Sequence, residues 1–268
     1  MTLSFDRVSV ACAAAILLAG TADAAAEGWF SGDWYLTVGA SGFVAPNYEG
    51  AKYMLMGASP LVSLGRAGTQ ARFTSRNDNI SFALFDAGAV RAGPGGKIVW
   101  GRDGDDADEL KGLDPVRWGA EAGVFAEVYP TDWLRVRGEV RHGLRSHTGV
   151  VADVHVDAFE DVTPTVRVSG GPRVSVASAR FLDAYYGVSP RESAASGLSP
   201  FKSESGMRAL GFGGAVTWRT TDKITTSLFG ENARLMGSAR DSSLVRERGS
   251  PNQLQIGISA TYRFDFSM

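Results

Sequence analysis

The sequence predicts an all-β, single-domain transmembrane antiparallel β-barrel of twelve strands, with ten as the alternative count. Three observations carry that expectation. Apolar and polar residues alternate strictly along most of the chain, the signature of strands with two different faces. The alternating runs are longer than the roughly 5–6 residues usual in soluble sheets and match the about 9–11 of a tilted bilayer crossing. The connections alternate between short turns (130–132, 161–163, 220–222) and long polar segments (101–115, 180–205, 237–251), the asymmetry expected of an outer-membrane barrel.

The first residues stand apart from the barrel. Arg7 precedes an apolar run from Val8 to Ala19, and Ala22-Asp23-Ala24 supplies the small-x-small pattern of a cleaved export signal. The leader is therefore 1–24 and the barrel domain 25–268. The lone cysteine, Cys12, lies in that leader with Ser9 where a lipoprotein signal needs Leu, so neither a lipid anchor nor a disulfide is expected.

Taken in order, the expected strands are 33–44, 52–66, 68–76, 79–86, 89–101, 116–129, 132–146, 148–160, 164–179, 206–219, 223–236 and 252–266. The first alternates through Trp34, Leu36, Val38 and Ala40. Gly and Pro interrupt the pattern over 67–101, and even strand parity, required when both termini share one side, supports the count there. In 117–129, Trp118, Ala120, Ala122, Val124, Ala126 and Val128 share one face, with Arg117, Glu121, Glu127 and Tyr129 on the other. Later strands repeat the alternation through Val166 and Val168, through Leu210 and Phe212, and through Leu254, Ile256 and Ile258. No stretch after Ala25 has helical amphipathic spacing.

The most informative stretch is 132–159. Arg135, Arg137, Glu139 and Arg141 occupy alternate positions, as do Asp153, His155 and Asp157 after the turn. In hydrocarbon every backbone polar group must pair within the protein, so strands cross only as a closed barrel. These seven residues are therefore expected in the lumen. A hairpin centred on His147 would set Arg141 beside Asp153, Glu139 beside His155 and Arg137 beside Asp157, each pair adding roughly 0.2–1 kcal/mol. An internal salt-bridge network is preferred to an ion-selective lining, because twelve strands leave far less lumen than the 16–18 of porins.

Trp34, Trp100, Trp118, Trp133, Trp218, Tyr35, Tyr129 and Tyr262 fall near strand ends, where amphipathic rings anchor in headgroups. In the last strand, alternation ending in Tyr262, Phe264 and Phe266 is similar to the C-terminal signal read by the outer-membrane assembly machinery, with Ser267 and Met268 following the final aromatic.

Chemistry is sparse. His142, His147 and His155 lack zinc spacing, and Ser146-His147 carries no hydrolase motif. The acidic run 103–109 lacks the Gly and Glu of an EF-hand loop and reads as a solvated loop able to bridge lipopolysaccharide through divalent ions. No cofactor is expected, and a formal net charge of −2 gives no attraction to nucleic acid.

Several segments together resemble the MipA/OmpV family of outer-membrane proteins, the MltA-interacting proteins. They are Pro46-Asn47-Tyr48-Glu49-Gly50, "GRDGDDADELKGL" at 101–113, "GPRVSVASARFLDAYYGVSPRESAASGL" at 171–198, "DSSLVRERGSPNQ" at 241–253, and Tyr262-Arg263-Phe264. Tyr186 stands where the family more often has Phe, Ser243-Leu244 where it often has Pro-Ile, and 89–97 is unusually Gly-rich. The resemblance implies a non-enzymatic protein of the cell outer membrane, a scaffold between a lytic murein transglycosylase and a penicillin-binding protein in peptidoglycan growth. A narrow channel for small solutes is the alternative.

Overall fold

Alternation becomes one antiparallel sheet in the computed structural model, which describes residues 32–66, 72–75 and 78–267. The expected leader 1–24, the start near Ala25 and part of the expected strand 68–76 lie outside those residues. The strands are β1 (Asp33–Pro46), β2 (Met54–Arg66), β3 (Ile80–Ser81), β4 (Phe85–Asp86), β5 (Val90–Val99) and β6 (Gly119–Thr131). They continue as β7 (Leu134–Gly143), β8 (Val150–Thr163), β9 (Val166–Ala177), β10 (Gly206–Arg219), β11 (Ile224–Leu235) and β12 (Asn252–Ser267).

The sheet runs β2-β1-β12-β11-β10-β9-β8-β7-β6-β5-β3, with β4 also on β5. The first and last strands meet in the wall, where Asp33 lies opposite Ser267. β3 and β4 are pieces of one stave, since Phe82 and Leu84 donate their amides to Pro94 and Ala92 at 3.0 Å between them. Twelve strands thus make eleven staves. Ten antiparallel steps, an even number, leave the end staves, β2 and β3, running in the same direction, and no ladder joins them among the described residues. Trp34 reaches past this seam to stack on Phe82, with ring centroids 6.1 Å apart.

The expected strand 68–76 accounts for the odd count. Its described residues 72–75 belong to no strand. Phe73 is buried and stacks on Phe159 at 4.8 Å, on the inward face of β8. The chain there passes through the interior rather than the wall.

Outward residues on the strands are apolar and exposed, as at Val124, Val140, Phe212 and Ile258. Trp100, Trp118, Trp133, Trp218 and Tyr262 are exposed, whereas Trp34 and Tyr129 are buried and Tyr35 lines the interior. The latter three are therefore not headgroup anchors. No helix among the described residues is long and apolar enough to cross a membrane.

Short helices do occur, contrary to the sequence reading. They are α1 (Ala179–Tyr186), α2 (Pro190–Ser196) and α3 (Gly237–Asp241), followed by a π-helical turn at Leu244–Arg248. α2 begins with a capping box, Ser189 accepting from the Glu192 amide while Glu192 accepts from the Ser189 amide, and has Pro190 in its first turn. Its end needs Gly197, at φ +78°. These signals are short, which is why the long polar segment hides them.

The apolar core lies in this cap, at the end of the barrel carrying the long loops. Phe181, Leu182 and Tyr186 of α1 pack with Leu235, Ala239 and Val245. A second cluster joins Tyr48, Leu110, Val188, Leu198 and Leu244 from four separate connections. Polar ties fix the layer: Asn47 Nδ2 donates to Asp106 O at 2.9 Å, Ser242 Oγ to Tyr186 O at 2.6 Å, and Arg248 Nη1 to Glu109 O at 2.8 Å.

Candidate functional site

The charged face of β7 projects into the barrel. Arg135, Arg137, Glu139, Arg141, Asp153, His155 and Asp157 are all buried, as are Glu121 and Glu127 on the inward face of β6. Arg135 is 0% exposed and is held by Asp78 through two bonds of 2.7 and 2.9 Å and by Asp157 at 2.7 Å. Arg137 bonds Glu127 at 3.0 Å, Glu139 at 2.8 Å and the Ser81 hydroxyl at 3.0 Å. Arg141 spans Glu121, Glu139 and Asp153 at 2.8, 2.6 and 2.5 Å. Arg173 also donates to Asp157, and Arg208 to Glu49. The guanidiniums of Arg135, Arg137 and Arg141 thus each meet several carboxylates, the arrangement that offsets the cost of burying charge.

The register differs from expectation. Arg135 lies opposite Asp157, Arg137 opposite His155, Glu139 opposite Asp153 and Arg141 opposite Val151. A slip of two residues keeps every side chain on its face, so alternation alone cannot fix it. The loop decides. His147 folds back and is buried, its Nε2 3.0 Å from Glu121 and its Nδ1 accepting the Gly149 amide at 3.1 Å. Gly143 and Gly149 make room: a Cβ on the first would stand 2.4 Å from the His147 ring, and on the second 2.3 Å from the Phe181 amide. His142 is exposed, and both nitrogens of His147 are engaged, leaving neither to activate Ser146.

The alternation of 117–129 puts Glu121 and Glu127 on the polar face, and the structure brings them into the network. Arg173, on the polar face of β9, escaped the sequence reading. Asp78 carries no such signal, because its segment is not a strand in the wall. Asn79 is similar, its Nδ2 donating to Glu139 at 2.6 Å.

Two cavities border these residues. One, of about 350 Å³, lies beneath the cap against Glu49, His155, Arg173 and Arg208. The other, of about 960 Å³, lies between the charge network and the small-residue wall of β10, β11 and β12. In the cap, burial pushes the phenols of Tyr48 and Tyr185 up to about 12 and draws the Arg102 guanidinium below its ordinary value. Arg102 sits over both rings, 5.3 and 5.4 Å from their centroids.

Among the described residues no three His, Cys, Asp or Glu side chains are grouped to hold a metal ion. In the acidic run, Asp103 and Asp106 cap local backbone amides at 2.8 and 2.9 Å, and Leu110 is buried in the cap.

Solved structures similar to the chain include Neisserial surface protein A, at 9% identity and TM-score 0.28, covering 87% of this chain and 99% of that one. OprD of Pseudomonas aeruginosa is similar at 6% identity and TM-score 0.28, covering 88% and 96%. Ail, the attachment invasion locus protein of Yersinia pestis, is similar at 9% identity and TM-score 0.24, covering 87% and 99%. Curated protein sequences gave no match. Residues 38–264 match the model of the family described as MltA-interacting protein MipA, and the chain belongs to that family.

Proposed function

We propose that this chain is an exported outer-membrane barrel, with leader 1–24 and barrel domain 25–268, which scaffolds murein enzymes rather than catalysing a reaction. The observation that carries the reading is the filled half of the lumen: Arg135 is 0% exposed and bound to three carboxylates, so the strand face that could line a pore is spent on internal cross-links. The family description names an interaction with MltA, which supports a lytic murein transglycosylase as one partner; the second partner in this reading is a penicillin-binding protein, as the family resemblance implies. Their contact surface would be the short turns near Asp132, Thr165 and Asp222.

The seven charged residues of β7 and β8 serve in this reading as rigidifying lumen groups. Tyr262, Phe264 and Phe266 are exposed on the outer face of β12, which suits recognition by the barrel assembly machinery. The loop end would face lipopolysaccharide. Affinity capture from detergent-solubilised envelopes with the tagged protein tests the scaffold. Co-recovery of a lytic transglycosylase and a penicillin-binding protein supports it, and recovery of neither sinks it.

A narrow channel is the second reading, favoured by the 960 Å³ cavity. Reproducible conductance of the intact protein in planar bilayers would support it.

A further inference from the structure

The larger cavity does not stop at the wall. It touches Leu61 and Ser63 on the inward face of β2 and also Val62 and Leu64 on the outward face. Across the seam it touches Ile80, Phe82 and Leu84 in the same way. β2 and β3 carry no ladder on these facing edges among the described residues, and the cavity reaches exposed outward residues of both, so lumen and bilayer side communicate at the seam. β2 suits an open edge: Pro60, midway along it, has no amide to leave unpaired.

The lips and the interior differ in chemistry. Val62, Leu64, Ile80 and Leu84 at the opening are apolar and exposed. Inside, small residues form a row across three strands, with Thr217 opposite Ser227 and Ser227 opposite Ser259. The cavity's volume is within the roughly 300–1,000 Å³ of small-molecule sites. Its lining carries seven Lys or Arg against four Asp or Glu. Arg173, 7% exposed, contributes an Nε with no hydrogen-bond partner among the described residues.

We propose that the barrel takes up an amphipathic molecule from the membrane through the seam between β2 and β3, its chain against the apolar lips and its anionic head in the lumen beside Arg173. Hydrocarbon lies directly outside these lips in a bilayer, so a membrane-borne chain reaches them without crossing water. An anionic head would satisfy the buried donor that is otherwise orphaned. This inference is independent of the murein reading.

The full-length protein in neutral detergent would be titrated with a fluorescent stearate, with lysophosphatidylglycerol as competitor and stearyl alcohol as the neutral control. Saturable stearate binding, at least tenfold tighter than stearyl alcohol, is expected. Competition by lysophosphatidylglycerol would assign a lipid headgroup, and its failure to compete a free fatty acid. Ser227→Trp and, on the neighbouring strand, Ser259→Phe fill the cavity and should each weaken binding tenfold or more. Heat-modifiable migration on gels reports which variants remain folded. Equal binding of acid and alcohol, or full binding by either folded variant, would overturn the proposal.

Discussion

Arg141 and Asp153 meet at 2.5 Å although neither faces the other across the β7–β8 ladder, where Arg141 lies opposite Val151 and Glu139 opposite Asp153. Directly opposed like charges destabilise a strand pair. The Arg141 guanidinium reaches diagonally and bonds both carboxylates, turning a repulsive pair into a bridged one.

Arg141→Met should therefore destabilise the barrel by about 3–5 kcal/mol, the cost of leaving buried charges unpaired. Adding Glu139→Gln and Asp153→Asn should recover most of that loss. Urea unfolding in lipid vesicles, followed by tryptophan fluorescence, measures both. A single variant as stable as the parent would remove the bridging role.

Gly143→Ala places a methyl group 2.4 Å from the His147 ring. The ring must leave Glu121 or the hairpin must shift, at about 1–3 kcal/mol for an overpacked site. His147→Ala in the same background should reduce the added cost without abolishing it, because the His147 carbonyl oxygen also lies 2.4 Å from the new Cβ. Unfolding midpoints of the two single variants and the double variant decide this, and additive losses would count against the packing conflict.

The cap should act as a lid on whatever lumen conducts. Deleting 179–204 removes α1 and α2, and with them Leu182 and Tyr186, each 0% exposed. Single-channel conductance should rise several-fold over the intact protein. No rise would show that the charge network, not the cap, closes the barrel.

Acid should loosen α2 before the barrel. Burial acts to raise the Glu192 carboxyl, but hydrogen bonds from Ser189 and the Asp114 amide outweigh it, so the group lies below its ordinary range. A depressed carboxyl stabilises above its unfolded pKa and loses that contribution as pH falls through its folded one. Amide exchange at Ser189 and Asp114 should accelerate on acidification below the usual carboxylate range. Glu192→Gln should flatten that dependence, and an unchanged profile would contradict the assignment.

Phe264→Ser with Phe266→Ser should reduce the fraction of heat-modifiable barrel recovered from cell envelopes several-fold. The purified double variant should still refold in detergent, since both rings lie on the outer face and not in the packed interior. Equal recovery would argue against their role in assembly.

Alternation by itself determined that Arg135, Arg137, Glu139 and Arg141 share a face, because side-chain direction in a strand follows from position parity. It also determined the long staves and the alternating turn lengths. It could not determine the β7–β8 register, since a slip of two residues leaves every face unchanged; only the tucked His147 and its flanking glycines select one. Nor could it place Asp78, whose carboxylate is fixed by an arginine 57 residues away in sequence. The cap has the same character: Tyr48, Leu110, Leu198 and Leu244 come from different loops, and each is apolar only to the benefit of the others once the barrel has brought them together. Local pattern fixes direction, whereas partnership between distant segments is decided by packing in three dimensions.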